Sequence, residues 1–217
     1  DFVNSEYEVF TKTTGGKQRV IYKLPYYPDR VVHHCIVQVM KPIWMNVFIR
    51  DTFATIPQRG IHDAVHRMKQ AVRDKQSAYC LKADIRKFYP SVNHNILKNI
   101  LARKIKDDDM LSLFDIIIDS APGIPIGNYV SQWLGNLYLA YFDHFVKETL
   151  GVKYYFRYAD DIVLLSDNKQ KLHSYRENLT EYLNNILLLD VKGTHQIFPV
   201  SARGIDFLGY RFYSNHT

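Results

Sequence analysis

The sequence predicts an α+β fold built on a sheet of the split βαβ, ferredoxin-like kind. From residue 78 onward, apolar patterns follow one another in the order strand, helices, strand, strand, helix, strand, which is the order of that fold. The two middle strands flank the polar tetrapeptide Tyr158-Ala159-Asp160-Asp161, whose composition is typical of a tight hairpin turn. The helices of such a βαββαβ unit are expected on one face of its sheet.

Two elements are predicted before this unit. Residues 6–22 favour two strands joined at Gly15-Gly16, a hairpin that carries Lys12, Lys17 and Arg19 at or near its tip. Such a tip can reach phosphate groups, and the alternative is a solvated basic hairpin. Apolar residues at helical spacing then predict a helix over residues 61–72.

The unit itself begins with a strand that ends in Asp84. Its predicted elements are, in chain order, a strand at 78–84, helices at 95–106 and 130–145, hairpin strands at 154–157 and 162–165, a helix at 167–186 and a strand at 205–213. Gly151 is expected to close the second helix of the unit, because a glycine often follows a helix end.

Composition narrows the class of protein. The 217 residues are 47% hydrophobic, enough to bury a core as one large domain or two smaller regions. Lys and Arg number 28 against 22 Asp and Glu, a net charge of +6 that suits a polyanionic partner. Cys35 and Cys80 lie in apolar segments without paired spacing, which favours buried thiols in a reducing compartment, and we expect a cytoplasmic protein. No stretch approaches the ~18 apolar residues of a membrane span, and no signal-peptide pattern opens the chain.

The adjacent carboxylates of Asp160 and Asp161 lie between two apolar runs. Desolvating two such neighbours raises the pKa of at least one of them unless a cation compensates, and carboxylate oxygens favour a divalent ion such as magnesium. In the split βαβ order the first strand lies beside the hairpin, so Asp84 is expected at the same edge. Together with the carbonyl of Ile85, the three carboxylates would hold two metal ions for nucleotidyl transfer. The alternatives are an exposed Asp turn and, for Asp84, a helix cap or strand-end turn.

Two other clusters could mislead. His62-Asp63-Ala64-Val65-His66 places two histidines one helical turn apart, but it has Asp where a zinc protease has Glu, and it predicts a solvated helix face. Asp107-Asp108-Asp109 indicates a helix start or loop rather than a metal site.

Five blocks of residues together resemble the reverse transcriptases, in the order of that family and over residues 12–212. The blocks are Asp29-Arg30-Val31-Val32, the run from Ala83 to Tyr89, Gly123-Ile124-Pro125-Ile126-Gly127, Phe156-Arg157-Tyr158-Ala159-Asp160-Asp161 and Phe207-Leu208-Gly209-Tyr210. The resemblance implies a right-hand polymerase, with fingers over residues 1–75, part of 93–125 returning to them, and a palm over residues 76–217. It also implies two Mg²⁺ ions, with Mn²⁺ as a substitute, an RNA template, a nucleic-acid primer and deoxynucleoside triphosphates. Relatives continue into a helical thumb, which we expect to be absent from this chain.

Two positions indicate a subgroup. Ile126 stands where intron and retron relatives usually have Gln, and Ser131-Gln132 stands where they usually have Ser-Pro. This is similar to the reverse transcriptases of diversity-generating retroelements, which copy a template RNA with frequent errors opposite adenine and work with a small basic helical accessory protein. The alternatives are a group II intron-like, retron-like or defence-associated enzyme, or a polymerase-like module that binds nucleic acid without catalysis.

The resemblance also assigns roles to single residues. Tyr89 would exclude a ribose 2′-hydroxyl as a steric gate, and its alternative is an aromatic residue that closes the core. Ile126 would check the base pair less strictly than an amide, and its alternative is simple packing. Lys192 would protonate the leaving pyrophosphate, and its alternative is an exposed loop lysine. The remaining predicted contacts are Lys12, Lys17, Arg19, Ile85 and Gln132 for the nucleotide, and Phe207, Leu208 and Gly209 for the primer end. The alternative for the basic residues is a hairpin that touches only the template backbone, and the alternative for residues 207–209 is sheet core.

Overall fold

The computed structural model describes residues 2–193 and 196–214. The strands are β1 Glu8–Thr14, β2 Lys17–Lys23, β3 Tyr79–Asp84, β4 Tyr154–Tyr158, β5 Asp161–Ser166, β6 Gln196–Pro199, β7 Ile205–Phe207 and β8 Tyr210–Phe212. The helices are α1 Val31–Met45, α2 Ile61–Ala71, α3 Phe88–Ser91, α4 His94–Ala102, α5 Asp108–Ile118, α6 Tyr129–His144, α7 Lys169–Asn185 and α8 Val200–Arg203. Shorter helical segments span Tyr26–Arg30, Lys75–Ser77 and Phe145–Thr149.

The chain divides into two compact units. The first unit comprises residues up to 47 and residues 87–138, and the second comprises residues 48–86 and residues from 139 onward. Residues 48–75, which we expected in the fingers, therefore group with the strand β3, whereas residues 93–125 group with the N-terminal region. The assignment of fingers and palm to these ranges stays a prediction.

The first unit contains the predicted hairpin and a helical core. β1 and β2 pair antiparallel from Glu8 opposite Lys23 to Thr14 opposite Lys17, and both glycines of the turn have positive φ, as predicted for this tip. The core forms around Trp44 of α1, whose ring stacks on Trp133 at 5.8 Å and lies 6.1 Å from Phe114 of α5. The patterns above did not predict α1, and for α5 they indicated only a helix start or loop at residues 107–109. α1 is rich in β-branched residues, and its buried face rather than helix propensity stabilises it.

The second unit contains the predicted ferredoxin-like sheet. Its strand order is β4-β5-β3-β6, and every neighbouring pair is antiparallel, as the split βαβ fold requires. On one face, Leu81 of β3 and Ile162 of β5 meet Leu179 and Leu183 of α7. Because side chains alternate along a strand, Cys80 and Val163 belong to the opposite face, where α2, β7 and β8 complete a second apolar cluster. α2, which precedes the βαββαβ unit in the chain, thus covers the face of the sheet opposite α7.

The prediction for the last strand of the sheet was wrong. The fourth strand is β6, which pairs with β3 from Tyr79 opposite Pro199 to Lys82 opposite Gln196. Residues 205–213 instead form β7 and β8, a separate two-stranded sheet that turns at Leu208 and Gly209, both with positive φ. Positive φ at two successive residues interrupts a strand. β6 has only four residues and ends in a proline, so its apolar alternation is too short to be recognised in the sequence.

Other predicted elements are found with small changes. α4 ends at Ala102 rather than near residue 106, and α6 is followed by a helical segment before Gly151, whose φ is +66°. α7 begins after Asn168, whose Oδ1 accepts hydrogen bonds from the N–H groups of Gln170 and Lys171.

Only one of the two cysteines is buried, whereas both were expected to be. Cys80 is buried and burial raises the pKa of its thiol, but Cys35 is exposed on α1, where helical rather than strand geometry turns it away from the core. Within residues 2–193 and 196–214, no helix is both long enough and apolar enough to cross a bilayer.

Candidate active site

The three predicted acids lie at one end of the sheet in the second unit. Asp84 is the last residue of β3 and the cross-strand partner of Asp161, the first residue of β5. Tyr158 pairs with Asp161, so the turn consists of Ala159 and Asp160 alone and is shorter than the predicted tetrapeptide. The carbonyl oxygen of Asp160 accepts a hydrogen bond of 3.2 Å from the N–H of Ile85. Strand register therefore brings together residues that are far apart in sequence.

Two lysines face these acids. Nζ of Lys192 lies 2.6 Å from Oδ1 of Asp84, and the backbone N–H of Lys192 donates to the Asp84 carbonyl at 2.9 Å. A bridge between Ile85 and Val191 fixes this segment beside the end of β3. Nζ of Lys82 lies 3.4 Å from Oδ2 of Asp161 and also donates to the carbonyl oxygen of Asp206 in β7. The sequence reasoning missed Lys82, although its position two residues before Asp84 places it on the same face of β3.

The carboxyl of Asp161 is the electrostatically perturbed group of the site. Burial is the main cause that raises its pKa, the Lys82 ammonium lowers it, and the charges of Asp84 and Asp160 add a smaller rise, which together leave the pKa at about 6. The side chain is 28% exposed, so the alternative of a fully exposed Asp turn does not apply to Asp161. A carboxylate held beside other carboxylates in this way favours a cation as its partner.

The donor atoms present fit a magnesium site. Oδ1 of Asp84 and Oδ1 of Asp161 are buried and accept no hydrogen bond from the described residues, although Lys192 forms an ion pair with the former. Carboxylate oxygens of this kind are the ligands that Mg²⁺ prefers. Among the residues that the structure describes, no three His, Cys, Asp or Glu side chains are already arranged around one point as metal ligands.

Tyr89 belongs to the first unit and does not continue the strand. β3 ends at Asp84, Lys87 has φ +44°, and Phe88 and Tyr89 open the single turn α3. Because the chain turns before it reaches Phe88 and Tyr89, strand alternation does not apply to these two aromatic residues. Phe88 is buried and Tyr89 is half-buried, with their rings edge to face at 5.2 Å.

The loop from Gly123 to Gly127 is held by hydrogen bonds within the first unit. The N–H of Ile124 donates to the Tyr89 carbonyl at 2.8 Å, and the carbonyl of Ile126 accepts from the N–H of Tyr22 at 2.8 Å. Oγ of the buried Ser131 donates to the carbonyl oxygen of Pro125 at 2.7 Å. The Ile126 side chain is partly exposed, so tight packing does not fully account for it. Gln132 follows Ser131 as an exposed residue of α6.

The hairpin of the first unit groups its basic residues. Lys12 and Arg19 are cross-strand partners, and Lys17 lies on the same face because it is two residues from Arg19. All three are exposed. A β-carbon added at Gly127 would lie 3.3 Å from the side chain of Ile21, which shares that face, so the basic face of the hairpin adjoins the 123–127 loop.

The remaining candidates fall as follows. Phe207 is fully buried in the apolar cluster, and Leu208 and Gly209 form the turn between β7 and β8. Asp63 is paired with Arg50 through two hydrogen bonds of 2.6 and 2.9 Å, which occupies the acid of the histidine cluster. Oδ1 of Asp107 accepts from the N–H of Met110 at the start of α5, as a helix-start acid does.

Comparison with known proteins identifies the family. Residues 11–212 match the family described as Reverse transcriptase (RNA-dependent DNA polymerase). The chain is similar to Protein YkfC of Escherichia coli (strain K12), at 23% identity over 94% of this chain and 65% of YkfC. It is also similar to the Group II intron-encoded protein LtrA of Lactococcus lactis subsp. cremoris, at 24% identity over 57% of this chain and 22% of LtrA. The chain thus spans less than two thirds of the length of these relatives.

A solved structure shares the fold. Telomerase from Candida tropicalis in complex with the TWJ fragment of telomeric RNA aligns with a TM-score of 0.74 at 13% identity, over 98% of this chain and 44% of that one. This likeness shows a shared fold, in which the acids of this chain lie at the hairpin end of an antiparallel sheet. The chain belongs to the reverse transcriptase (RNA-dependent DNA polymerase) family, as the five sequence blocks indicated.

Proposed function

We propose that this chain carries the catalytic centre of an RNA-directed DNA polymerase that copies an RNA template into cDNA. The observation that supports the proposal is the register of the sheet, which pairs Asp84 with Asp161 and places Asp160 in the adjoining turn. Family membership supplies the reaction class. The substrates are a primer on an RNA template and deoxynucleoside triphosphates.

The chain's own residues have distinct tasks in this proposal. Divalent ions, Mg²⁺ or Mn²⁺, would be held by Asp84, Asp160, Asp161 and the carbonyl of Ile85. These ions would supply activation of the primer hydroxyl and neutralisation of the charge on the leaving pyrophosphate. Lys192, beside Asp84, donates a proton to that pyrophosphate.

Other assignments rest on the family resemblance. Tyr89 excludes the ribose 2′-hydroxyl, and Arg19 and Lys17, with Lys12 beside Arg19, bind the triphosphate. Gln132 contributes to the nucleotide site from α6. The turn Phe207-Leu208-Gly209 supports the primer end. Residues 1–75 act as fingers and residues 76–217 as the palm.

The subgroup of diversity-generating retroelements is part of the proposal. Ile126 offers only apolar surface at a partly exposed position, so the base pair is checked less strictly than by an amide. Copying errors at template adenines follow, and a small basic helical protein is the expected accessory partner. The buried thiol of Cys80 suits the reducing cytoplasm as the compartment.

Primer extension tests the catalytic acids. With an RNA template, a DNA primer, deoxynucleotides and Mg²⁺, we expect Asp160→Asn, Asp161→Asn to lower the rate about a thousandfold, equivalent to roughly 4 kcal/mol. Glu181→Gln, at an exposed position of α7, removes a single carboxylate charge away from the site and should retain the wild-type rate.

RNA binding separates this proposal from its alternative. A gel-shift measurement on the same samples should show that both variants bind the template as the wild type does. If the wild type binds RNA but extends no primer, or if the double variant extends equally well, the proposed catalytic centre is wrong and a non-catalytic binding module is favoured.

Sequencing of the cDNA tests the subgroup. We expect Ile126→Gln to lower the frequency of errors opposite template adenines, because an amide can hydrogen-bond where isoleucine cannot. Ile116→Gln, the same substitution at an exposed position of α5, should leave the error spectrum unchanged. An unchanged spectrum in Ile126→Gln would remove the role given to this residue.

A further inference from the structure

A charged pair is completely buried behind the turn that carries Asp160. Arg157 of β4 donates to Asp143 at the end of α6 through two bonds, from Nε to Oδ1 at 2.7 Å and from Nη2 to Oδ2 at 2.6 Å, and neither side chain is exposed. Tyr155 donates to Oδ1 of the same carboxylate at 2.6 Å, and Thr52 donates to Oδ2 at 3.0 Å. Burial lowers the pKa of Arg157, but the Asp143 carboxylate outweighs it and the pKa is raised, so the guanidinium stays charged.

The backbone on either side of Arg157 is fixed as well. Its N–H donates to the carbonyl of Asp51 at 3.0 Å, and its carbonyl accepts from the N–H of Phe53 at 3.0 Å. Backbone hydrogen bonds therefore hold the strand that carries the guanidinium, and side-chain hydrogen bonds hold the carboxylate that it pairs with. The two bonds to Asp143 use Nε and Nη2, so Nη1 can donate to a different acceptor. A lysine ammonium cannot reproduce this planar arrangement of donors.

That remaining donor reaches the turn. Nη1 of Arg157 donates to the carbonyl oxygen of Ala159 at 3.0 Å. Ala159 has φ +52°, a left-handed conformation that glycine usually provides in a two-residue hairpin turn. Its carbonyl belongs to the peptide that leads into Asp160. The bond thus holds the carbonyl of a non-glycine turn residue with positive φ, directly before Asp160 and Asp161.

We propose that Arg157 is a positioning residue for Asp160 and Asp161: Asp143 anchors its guanidinium, and Nη1 holds the Ala159 carbonyl so that both carboxylates keep their direction. The proposal rests on the metal-binding role given above to these two acids. A buried ion pair is weak evidence of stability on its own, because apolar residues of similar volume often serve the core as well. The bond to the turn gives this pair a function that such a replacement would lose.

A matched pair of variants separates positioning from core packing. Arg157→Lys keeps a positive charge beside Asp143 but lacks the bond to Ala159, whereas Tyr155→Phe removes a hydrogen bond to the same carboxylate and leaves the turn untouched. The first measurement is the dissociation constant of Mn²⁺, from the free ion seen by electron paramagnetic resonance. The others are kcat and the KM for deoxynucleotide in primer extension, and the melting temperature.

Arg157→Lys should weaken Mn²⁺ binding about tenfold and lower kcat by about ten- to a hundredfold, as loss of a residue that orients metal ligands does, with KM little changed. Tyr155→Phe should keep wild-type Mn²⁺ affinity and kcat, although its melting temperature should fall by about as much as that of Arg157→Lys. Wild-type affinity and kcat in folded Arg157→Lys would overturn the proposal. An equal loss of both in Tyr155→Phe would overturn it too, because the effect would then follow from core stability.

A second variant covers the case in which Arg157→Lys does not fold. The double variant Asp143→Asn, Arg157→Gln removes both buried charges together, so neither charge is left without its partner. It also lacks the Nη1 donor. It should weaken Mn²⁺ binding like Arg157→Lys, and wild-type affinity would overturn the positioning role. Failure of the wild type to bind Mn²⁺ in a way that Asp160→Asn, Asp161→Asn abolishes would instead contradict the proposed function.

Discussion

Asp161 shows at the scale of one residue how a position proposed to be catalytic opposes stability. Its pKa is about 6, against 3.8 for an ordinary aspartate, so the folded state binds the proton more tightly than the unfolded state. The group therefore stabilises the fold increasingly as the pH falls from above 6 towards 4. Above pH 6 the ionised carboxylate destabilises the metal-free fold, by an amount on the order of 1–3 kcal/mol.

Replacing this carboxylate should raise the stability of the metal-free chain. We expect Asp161→Asn to increase the melting temperature at pH 7.5 in the presence of a chelator, because an amide carries no charge to desolvate, and to have little effect at pH 4. Thermal unfolding followed by circular dichroism measures both, with Glu181→Gln as the exposed control. A lower melting temperature at pH 7.5 would show that the pair with Lys82 outweighs desolvation.

At the scale of elements, Tyr89 is fixed by the helices around it. The single turn α3 places it next to Phe88, and Gly135 of α6 leaves room for both rings. A β-carbon at Gly135 would lie 3.2 Å from the Phe88 ring and 3.3 Å from the Tyr89 ring, closer than ordinary contact. The half-buried ring is thus held in place by its neighbours, which a steric gate requires.

Removing this ring should relax the choice of sugar. We expect Tyr89→Ala to raise ribonucleotide use relative to deoxynucleotide use by about tenfold or more, because an excluded hydroxyl then finds space. The ratio of kcat/KM for the two nucleotides measures it. Tyr129→Ala, an exposed tyrosine of the same unit, is the control and should leave the ratio unchanged. An unaltered ratio in Tyr89→Ala would leave the residue a role in packing only.

At the scale of the whole molecule, the net charge is positive, and part of it is concentrated on one hairpin. The net charge of +6 favours a polyanion in general, whereas the β1–β2 hairpin concentrates Lys12, Lys17 and Arg19 on one exposed face. Each phosphate contact with single-stranded nucleic acid contributes about 0.7 to the slope of log affinity against log salt. The salt dependence of RNA binding therefore distinguishes a local contact from the overall charge.

Neutralising the hairpin should reduce that slope. We expect Lys17→Gln, Arg19→Gln to lower it by about 1.4 and to weaken RNA binding at low salt, as the loss of two phosphate contacts requires. Lys169→Gln, Lys171→Gln removes the same charge from the exposed start of α7 and should change the slope less. Fluorescence anisotropy over a salt series provides the measurement. Equal changes in both variants would indicate that only net charge matters.

Much of the fold and part of the site follow from local sequence. Elements that depend on residues close together in the chain are predicted by their apolar period and turn chemistry. These elements are the hairpin at Gly15-Gly16, the helices α2, α4, α6 and α7, and the turn before Asp161. The order of these elements was enough to indicate the split βαβ sheet. The ordered blocks likewise indicated the family.

The tertiary structure decided how distant segments meet. The sequence by itself determined that Asp160 and Asp161 lie next to each other at a hairpin turn. Only strand register places Asp84 opposite Asp161 and Lys192 beside Asp84. The same holds for β6 as the fourth strand and for the pair of Arg157 with Asp143. Register depends on the packing of whole faces against one another, and no local period specifies which residue of one strand lies opposite which residue of another.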